Sequence, residues 1–314
     1  MKKITYNKTI EDEKPTKNIN VIMCKILITG LFILAFSVND ASTQTFSDTD
    51  IHLSPSELEA IFMSKCCSHL AGEYRRPSDV YIPLSSESDL DQFSIYRSDY
   101  VSFVNDQQLG RDVQRVDVPE GQHYGMAMEY EFDGAEEVLM RWKQYLPEHW
   151  SPEAGTHIKF PGIGNRDRHG WGGRQTDGTG GWSVRTGLRS RPEQDDAVTV
   201  EFYVYHMDMG TWGTLYQWDT DERGAVLYRG EWAEMEVYVK VNTPGEADGI
   251  IKGSVNGEQR FEKTDLRFRE KGYDQYDIRE IIWHIYHGGA STSPVDQHIH
   301  FSDLEIWLGD VSSE

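Results

Sequence analysis

The residues best suited to chemistry sit in three short segments in the middle of the chain. Tyr203 and Tyr205 are two apart in Val198-Thr-Val-Glu-Phe-Tyr-Val-Tyr205. Strand side chains two apart point to the same side. The two phenols therefore share a face with Thr199 and Glu201, opposite Val198, Val200, Phe202 and Val204. Ser183 and Arg185 share a side in Trp182-Ser-Val-Arg185 for the same reason. Between positions 156 and 191 lie Lys159, Arg166, Arg168, Arg174, Arg185, Arg189 and Arg191, opposed within that stretch by Asp167 and Asp177. A basic, Gly-rich island next to paired phenols suits a polyanion. Arg binds carboxylates through two parallel hydrogen bonds, and close cations make a phenol easier to ionise.

Other candidate groups are weaker. Glu231, Glu234 and Glu236 invite comparison with the paired carboxylates of glycoside hydrolases. Glu234 and Glu236 share a strand face, but Glu231 does not share it. His298 and His300 also share a face, as two metal ligands would, with Asp303 nearby. No Cys or third His stands at a suitable local spacing. Asp296 lacks the dense carboxylate loop of a calcium site. No metal or cofactor is expected.

The three segments need a sheet to hold them, and the pattern from about residue 98 onward supplies one. Gly125 to Phe132 alternates, with Met126, Met128, Tyr130 and Phe132 on one face. In Glu234 to Asn242, Met235, Val237, Val239 and Val241 face a core, and Glu236, Tyr238, Lys240 and Asn242 point the other way. Turn clusters at 219–224, 243–249 and 256–257 separate such runs. This spacing predicts an all-β, two-sheet antiparallel sandwich. Three strands each offering a polar, aromatic face are expected to line one curved sheet that binds a saccharide. Upstream, Ser54-Pro-Ser-Glu57 is a capping box with Pro at the first helical position, which predicts a helix over about 55–70. The chain thus divides into a leader over 45–97 and a sandwich domain over 98–314.

The N-terminus reads as a secretory signal over 1–44. Ile26 to Val38 is an apolar run preceded by Lys25 and followed by Ala41-Ser42-Thr43, and its length fits a signal better than a membrane span, with an uncleaved anchor as the rival reading. Translation starting at Met23 would shorten the polar segment before it. Cys24 falls in the signal, and the adjacent Cys66 and Cys67 do not make a disulfide framework. Removing residues 1–44 takes away six Lys and four Asp/Glu, so the formal charge moves from −21 to −23. Such acidity argues against nucleic acid as a partner and repels a polyanion, which then needs a local basic site.

The motifs also carry a family resemblance over about residues 110–310. His157-Ile-Lys-Phe-Pro-Gly-Ile-Gly164 resembles the Lys-Leu-Pro-Gly-Leu signature of family 14 polysaccharide lyases, the alginate-lyase-like jelly rolls. Gly181-Trp-Ser-Val-Arg185, Phe202-Tyr-Val-Tyr205, Arg229-Gly-Glu-Trp232 and Val239-Lys-Val-Asn-Thr-Pro244 follow in the family's order. Asp248-Gly249, His287-Gly-Gly289 and Ile299-His-Phe-Ser-Asp303 come after them. The resemblance implies a concanavalin-like β-jelly roll with its site on the concave sheet. It also implies catalytic roles for Lys159, Arg185, Tyr203 and Tyr205. Ser183, Arg174, Gln175, Lys240, Asn242 and His287 are the expected substrate contacts. His157 and Phe160 depart from the usual pattern, and the loop over 165–181 lacks the cysteines of many relatives.

The reaction so implied is β-elimination from a 4-linked uronate. The C5 proton becomes acidic enough to remove once the adjacent carboxylate is neutralised and the enolate charge is stabilised. Lys159 and Arg185 suit that task. A free Tyr titrates near ~10, so cations that favour phenolate would make Tyr205 a base that returns its proton to O4. Tyr203 could support it or exchange roles, and Lys159 is the rival base. The expected protein is a secreted monomer acting on alginate, a mannuronate-rich chain or glucuronan, with no membrane contact after signal cleavage. A non-catalytic carbohydrate-binding jelly roll and a glycoside hydrolase are the alternatives.

Overall fold

A computed structural model describes residues 76–151, 158–190 and 197–311. The signal segment, the predicted 55–70 helix, Cys66, Cys67, His157 and Arg191 lie outside the described residues. The first strands are β1 (Val80–Ile82), β2 (Ser94–Arg97), β3 (Val101–Asp106), β4 (Arg111–Val118), β5 (Tyr124–Ala135) and β6 (Glu137–Tyr145). Next come β7 (Ile158–Arg166), β8 (Gly181–Ser190), β9 (Ala197–Tyr205), β10 (Thr214–Gln217) and β11 (Leu227–Tyr228). The last are β12 (Trp232–Lys240), β13 (Gly249–Val255), β14 (Glu258–Leu266), β15 (Ile278–His287) and β16 (Gln297–Leu308).

These strands form two antiparallel sheets, the sandwich that the alternation predicts. The front sheet runs β10-β9-β8-β7-β15-β5-β2, with β11 added to β9. The back sheet runs β14-β13-β12-β6-β16-β4-β3, with β1 added to β16. The strand system starts earlier than position 98, because β1 pairs with β16 and β2 with β5. The polar sequence around these short strands hides them, since edge strands carry few buried side chains.

One apolar layer fills the space between the sheets. Val198, Val200, Phe202 and Val204 of the front sheet are wholly buried, as are Val237 and Val239 of the back sheet. Trp283 of β15 meets Trp142 of β6 edge-on, with ring centroids 6.2 Å apart, and Phe301 of β16 at 5.0 Å. Large aromatic surfaces buried in this way dominate the stabilising terms of a core.

Strand β7 carries a Pro in the middle of the front sheet, where it cannot donate to a ladder. Ile158, Phe160 and Ile163 all belong to the core. Strict alternation would send Ile163 to the other face from Phe160. The register with β8 shifts between Lys159 and Gly162, which marks a bulge at Pro161. The Thr186 hydroxyl donates to the Pro161 carbonyl at 2.6 Å. The bulge lets Lys159 on one side of it, and Gly162 and Gly164 on the other, face outward together.

Candidate active site

A cleft of about 650 Å³ lies on the outer face of the front sheet. Its floor is built strand by strand from outward-facing residues. Tyr203 and Tyr205 come from β9, Ser183 and Arg185 from β8, Lys159 from β7, and His284 and Tyr286 from β15. Register places Arg185 directly opposite Tyr203 and Ser183 directly opposite Tyr205. Arg185 lies against Gly162, where an added Cβ would stand 2.2 Å from the Val184 carbonyl oxygen. Only a residue without a side chain lets the two strands approach there.

The two phenols are linked, 3.4 Å apart between hydroxyl oxygens. Each accepts a backbone N–H from a wall loop, Tyr203 from Gly213 at 3.1 Å and Tyr205 from Gly173 at 3.0 Å. A Cβ on Gly213 would come within 2.7 Å of the Tyr203 ring. Lys159 holds its Nζ 4.3 Å from the centre of the Tyr203 ring and 5.5 Å from that of Tyr286.

The electrostatics are those of a dry, cationic floor. Burial, with Arg185 adding to it, pushes the Lys159 ammonium down to about 7. Burial and the nearby Arg166 lower Arg185 to about 10. Arg185 Nε and Nη2 are buried with no hydrogen-bond partner among the described residues. A desolvated guanidinium in that state is costly unless an anion arrives. Burial drives His284 down to about 4, so it is neutral at neutral pH. The Tyr203 hydroxyl titrates well above the ordinary range, because burial and its bond to Tyr205 outweigh Arg185. For Tyr203 this reverses the sequence expectation of an easily formed phenolate.

The basic island shrinks once the strands assemble. Arg166 forms ion pairs with Glu129 of β5 and with Glu280 of β15 at 2.8 Å. Arg189 pairs with Glu201 at 2.8 Å. Arg168 is exposed, with Asp167 at 3.7 Å. Counting acids within the segment overlooks carboxylates brought in by other strands. Lys159 and Arg185 remain as the cations of the cleft floor that these carboxylates do not neutralise.

The expected substrate contacts divide. Ser183 lines the cleft, but its hydroxyl donates to the Gly170 carbonyl at 2.6 Å and pins the Gly-rich loop. Arg174 stacks its guanidinium 3.9 Å from the centre of the Trp171 ring, and Trp171 lines the cleft. Gln175 donates to the Gly210 carbonyl at 2.7 Å and so ties the loop after β7 to the loop after β9. Three others lie elsewhere. Lys240 is on the back sheet, ion-paired to Glu137 at 2.9 Å. Asn242 is wholly buried and clamps turns, accepting the Phe268 N–H at 2.7 Å and donating to the Glu246 carbonyl. His287 is wholly buried and does not line the cleft, although Tyr286 and His284 do. Alternation gave the correct faces for β12, but it carries no information on which sheet a strand joins.

The weaker candidates are also placed. Glu234 and Glu236 meet Arg141 on the back sheet, at 3.6 Å and 2.9 Å. His298 and His300 stack at 5.1 Å on the same sheet, and Asp303 pairs with Arg111 and Lys143. Among the described residues no group of three or more His, Cys, Asp or Glu could hold a metal ion.

Sequence reasoning missed His284, Tyr286, Tyr124, Trp171 and Trp212, all of which line the cleft. The signal for the first two was present, because Trp283 and Ile285 alternate with His284 and Tyr286. Trp171 and Trp212 stand on loops, where no period marks a face.

The family model of polysaccharide lyase 14 matches residues 119–304. No curated protein sequence matches the chain. Among solved structures, alginate lyase Aly36B is 18% identical at a TM-score of 0.62, covering 74% of this chain and 98% of that one. Alginate lyase vAL-1 from Chlorella virus is 15% identical at 0.60, covering 74% and 100%. The marine PL-14 alginate lyase from Aplysia kurodai is 14% identical at 0.58, covering 74% and 100%. At such identities the likeness to these structures is one of fold. The family match goes further, because it takes in every residue that lines the cleft, and this chain therefore belongs to polysaccharide lyase family 14.

Proposed function

We propose that this lyase cleaves a 4-linked polyuronate by β-elimination, with Lys159 as base and the Tyr203–Tyr205 pair as proton donor. The observation that carries the reading is the buried Arg185 guanidinium, unpaired among the described residues, next to a lysine held near neutrality. A neutral polysaccharide offers such an arginine hydroxyl acceptors without a compensating charge, whereas a uronate carboxylate supplies the charge and two parallel hydrogen bonds. The solved alginate lyases that share the fold support an acidic substrate. The apolar run before residue 44 supports export, and action as a monomer fits an open cleft built from one chain.

In the proposed step Arg185 neutralises the carboxylate on C5. The neutral Lys159 amine takes the C5 proton, and the electron pair is held as an enolate against Arg185. The pair then forms the C4–C5 double bond as the C4–O bond breaks. A tyrosine hydroxyl gives its proton to the departing oxygen, and Lys159 returns its proton to the phenolate. The high proton affinity of Tyr203 suits a donor and not a resting base. Lys159, held down to about 7 and placed beside the Tyr203 ring, is the preferred base, with Tyr205 the rival. Its place beside Tyr203 favours substrates whose C5 proton and O4 lie on one side of the ring, as in mannuronate and glucuronate.

The test is product formation on mannuronan, guluronan and glucuronan. Ultraviolet-absorbing unsaturated ends are expected from the wild type. In Y205F and K159M their rate should fall by a factor of about 10² to 10⁴, the usual share of acid–base catalysis. Reducing ends without unsaturation would mean a hydrolase, and binding without products a lectin.

A further inference from the structure

The cleft continues past Tyr286. Tyr124 of β5 lies beside it, with ring centroids 4.4 Å apart. Arg97 of β2 then places its guanidinium carbon 4.9 Å from the centre of the Tyr124 ring. On the opposite flank, Lys159 stands 5.5 Å from the Tyr286 ring. Amine, ring, ring and guanidinium thus follow one another across β7, β15, β5 and β2, with the Arg185 guanidinium of β8 beyond the amine. Neighbouring strands are about 4.8 Å apart, so three steps separate Lys159 from Arg97 by roughly 14 Å, and Arg185 lies one strand further away. That is further than one sugar ring reaches.

A second hollow of about 310 Å³ opens at Arg97, with Gln122, Asp99 and Tyr124 among its walls. Tyr124 belongs to both hollows. Arg97 is exposed on an edge strand and forms no ion pair among the described residues. Its strand precedes the 119–304 region matched by the family model. Arg166, Arg168 and Arg189 of the neighbouring island are paired with carboxylates, whereas Arg97 is an available cation in line with the floor.

We propose that Arg97 forms a distal subsite for the carboxylate of a uronate residue removed from the scissile bond, with the Tyr124 ring as the platform beneath that sugar. The proposal rests on the polyuronate reading above. A chain carrying one carboxylate per sugar meets a second cation at this distance, and a neutral chain gains little from one. Gln122 adds an amide at the wall of the hollow. Asp99 opposes the bound anion, so neutralising it strengthens the subsite.

The test compares full-length wild type, R97Q, R97K and D99N on polymannuronate, polyglucuronate and a size series of their oligomers. The wild type should favour long chains over the shortest cleaved oligomer in kcat/KM. In R97Q that preference should be lost, with KM on the polymer raised roughly tenfold, as expected for losing a charged hydrogen bond. R97K should recover part of the effect, and D99N should lower KM on the polymer. Equal melting temperatures for R97Q and wild type would set aside a folding defect. An unchanged length preference in R97Q overturns the subsite while leaving the lyase intact. A KM rise of the same size on the shortest oligomer also overturns it, since it would place Arg97 at the reacting sugar. A wild type that cleaves none of these polymers overturns the polyuronate reading itself.

Discussion

At the residue scale, Lys159 carries both the chemistry and a cost to folding. Burial and the Arg185 charge lower its amine from 10.5 to about 7. If the free amine is the base, kcat/KM, which reports the unliganded enzyme, should rise with pH and level off above about 7. A limb set by tyrosine ionisation would instead keep climbing toward alkaline pH. The same shift has a consequence for stability. Below about 7 the amine is charged in both states, and folding must desolvate that charge. Between about 7 and 10.5 the unfolded chain binds more protons, so stability rises with pH. Above 10.5 the amine is neutral in both states and the penalty is gone. K159M should therefore raise the melting temperature more at pH 6 than at pH 10, while removing activity. An equal shift at both values would mean that the wild-type amine is not desolvated in the fold. Stability lost to a functional group in this way is a common trade-off. The Ser-x-Arg and Tyr-x-Tyr pairs were readable in the sequence, because each pair is local and strand alternation fixes its side, whereas Lys159, next to the bulge at Pro161, was readable through the basic stretch and the family motif. The carboxylates of Glu129 and Glu280 that neutralise Arg166 were not readable, since that pairing spans over a hundred residues for Glu280 and joins three strands.

At the element scale, the bulge in β7 decides where the lysine points. Pro161 interrupts the ladder, and Gly162 lets β8 close against it with Arg185 in place. An alanine at 162 would bring its Cβ to 2.2 Å from the Val184 carbonyl and 2.7 Å from the Arg185 Cα, both backbone atoms that cannot swing aside. G162A should thus destabilise the protein by about 1–3 kcal/mol, the usual range for overpacking. It should also lower kcat/KM through a displaced Arg185. Thermal melts and initial rates on polymer read the two effects, and a variant with wild-type values for both would remove the bulge from the account. The sequence showed that β9 and β12 each have one apolar and one polar face. It could not show that β9 joins the front sheet and β12 the back one, because membership is set by long-range pairing. Lys240 and Asn242 were assigned to the cleft for that reason, but Lys240 is ion-paired on the back sheet and Asn242 clamps the turns beyond the end of β12. The short strands β1 and β2 were hidden for a related reason. Three or four residues at a sheet edge leave too little alternation to read, and their place is visible only in their partners β16 and β5.

At the scale of the whole molecule, a chain of formal charge −21 must bring a polyanion to a cationic floor. Two opposing fields act at different ranges. The acids of the surface act over distances comparable to or longer than the Debye length, which is about 10 Å at 0.1 M salt. Arg185 acts at contact, inside a cleft where screening is weaker. Added salt therefore weakens the repulsion before it weakens the binding. On a long polyuronate, kcat/KM should rise severalfold as sodium chloride goes from about 10 mM to about 150 mM, and fall again at higher concentration. A short oligomer carries fewer charges, so its rise should be smaller. Initial rates over a salt series on both substrates separate the two fields. A monotonic fall from the lowest salt would mean that the cleft's own potential reaches past the acidic surface. The cations in line across the front sheet would then steer the polymer from a distance as well as hold it on contact.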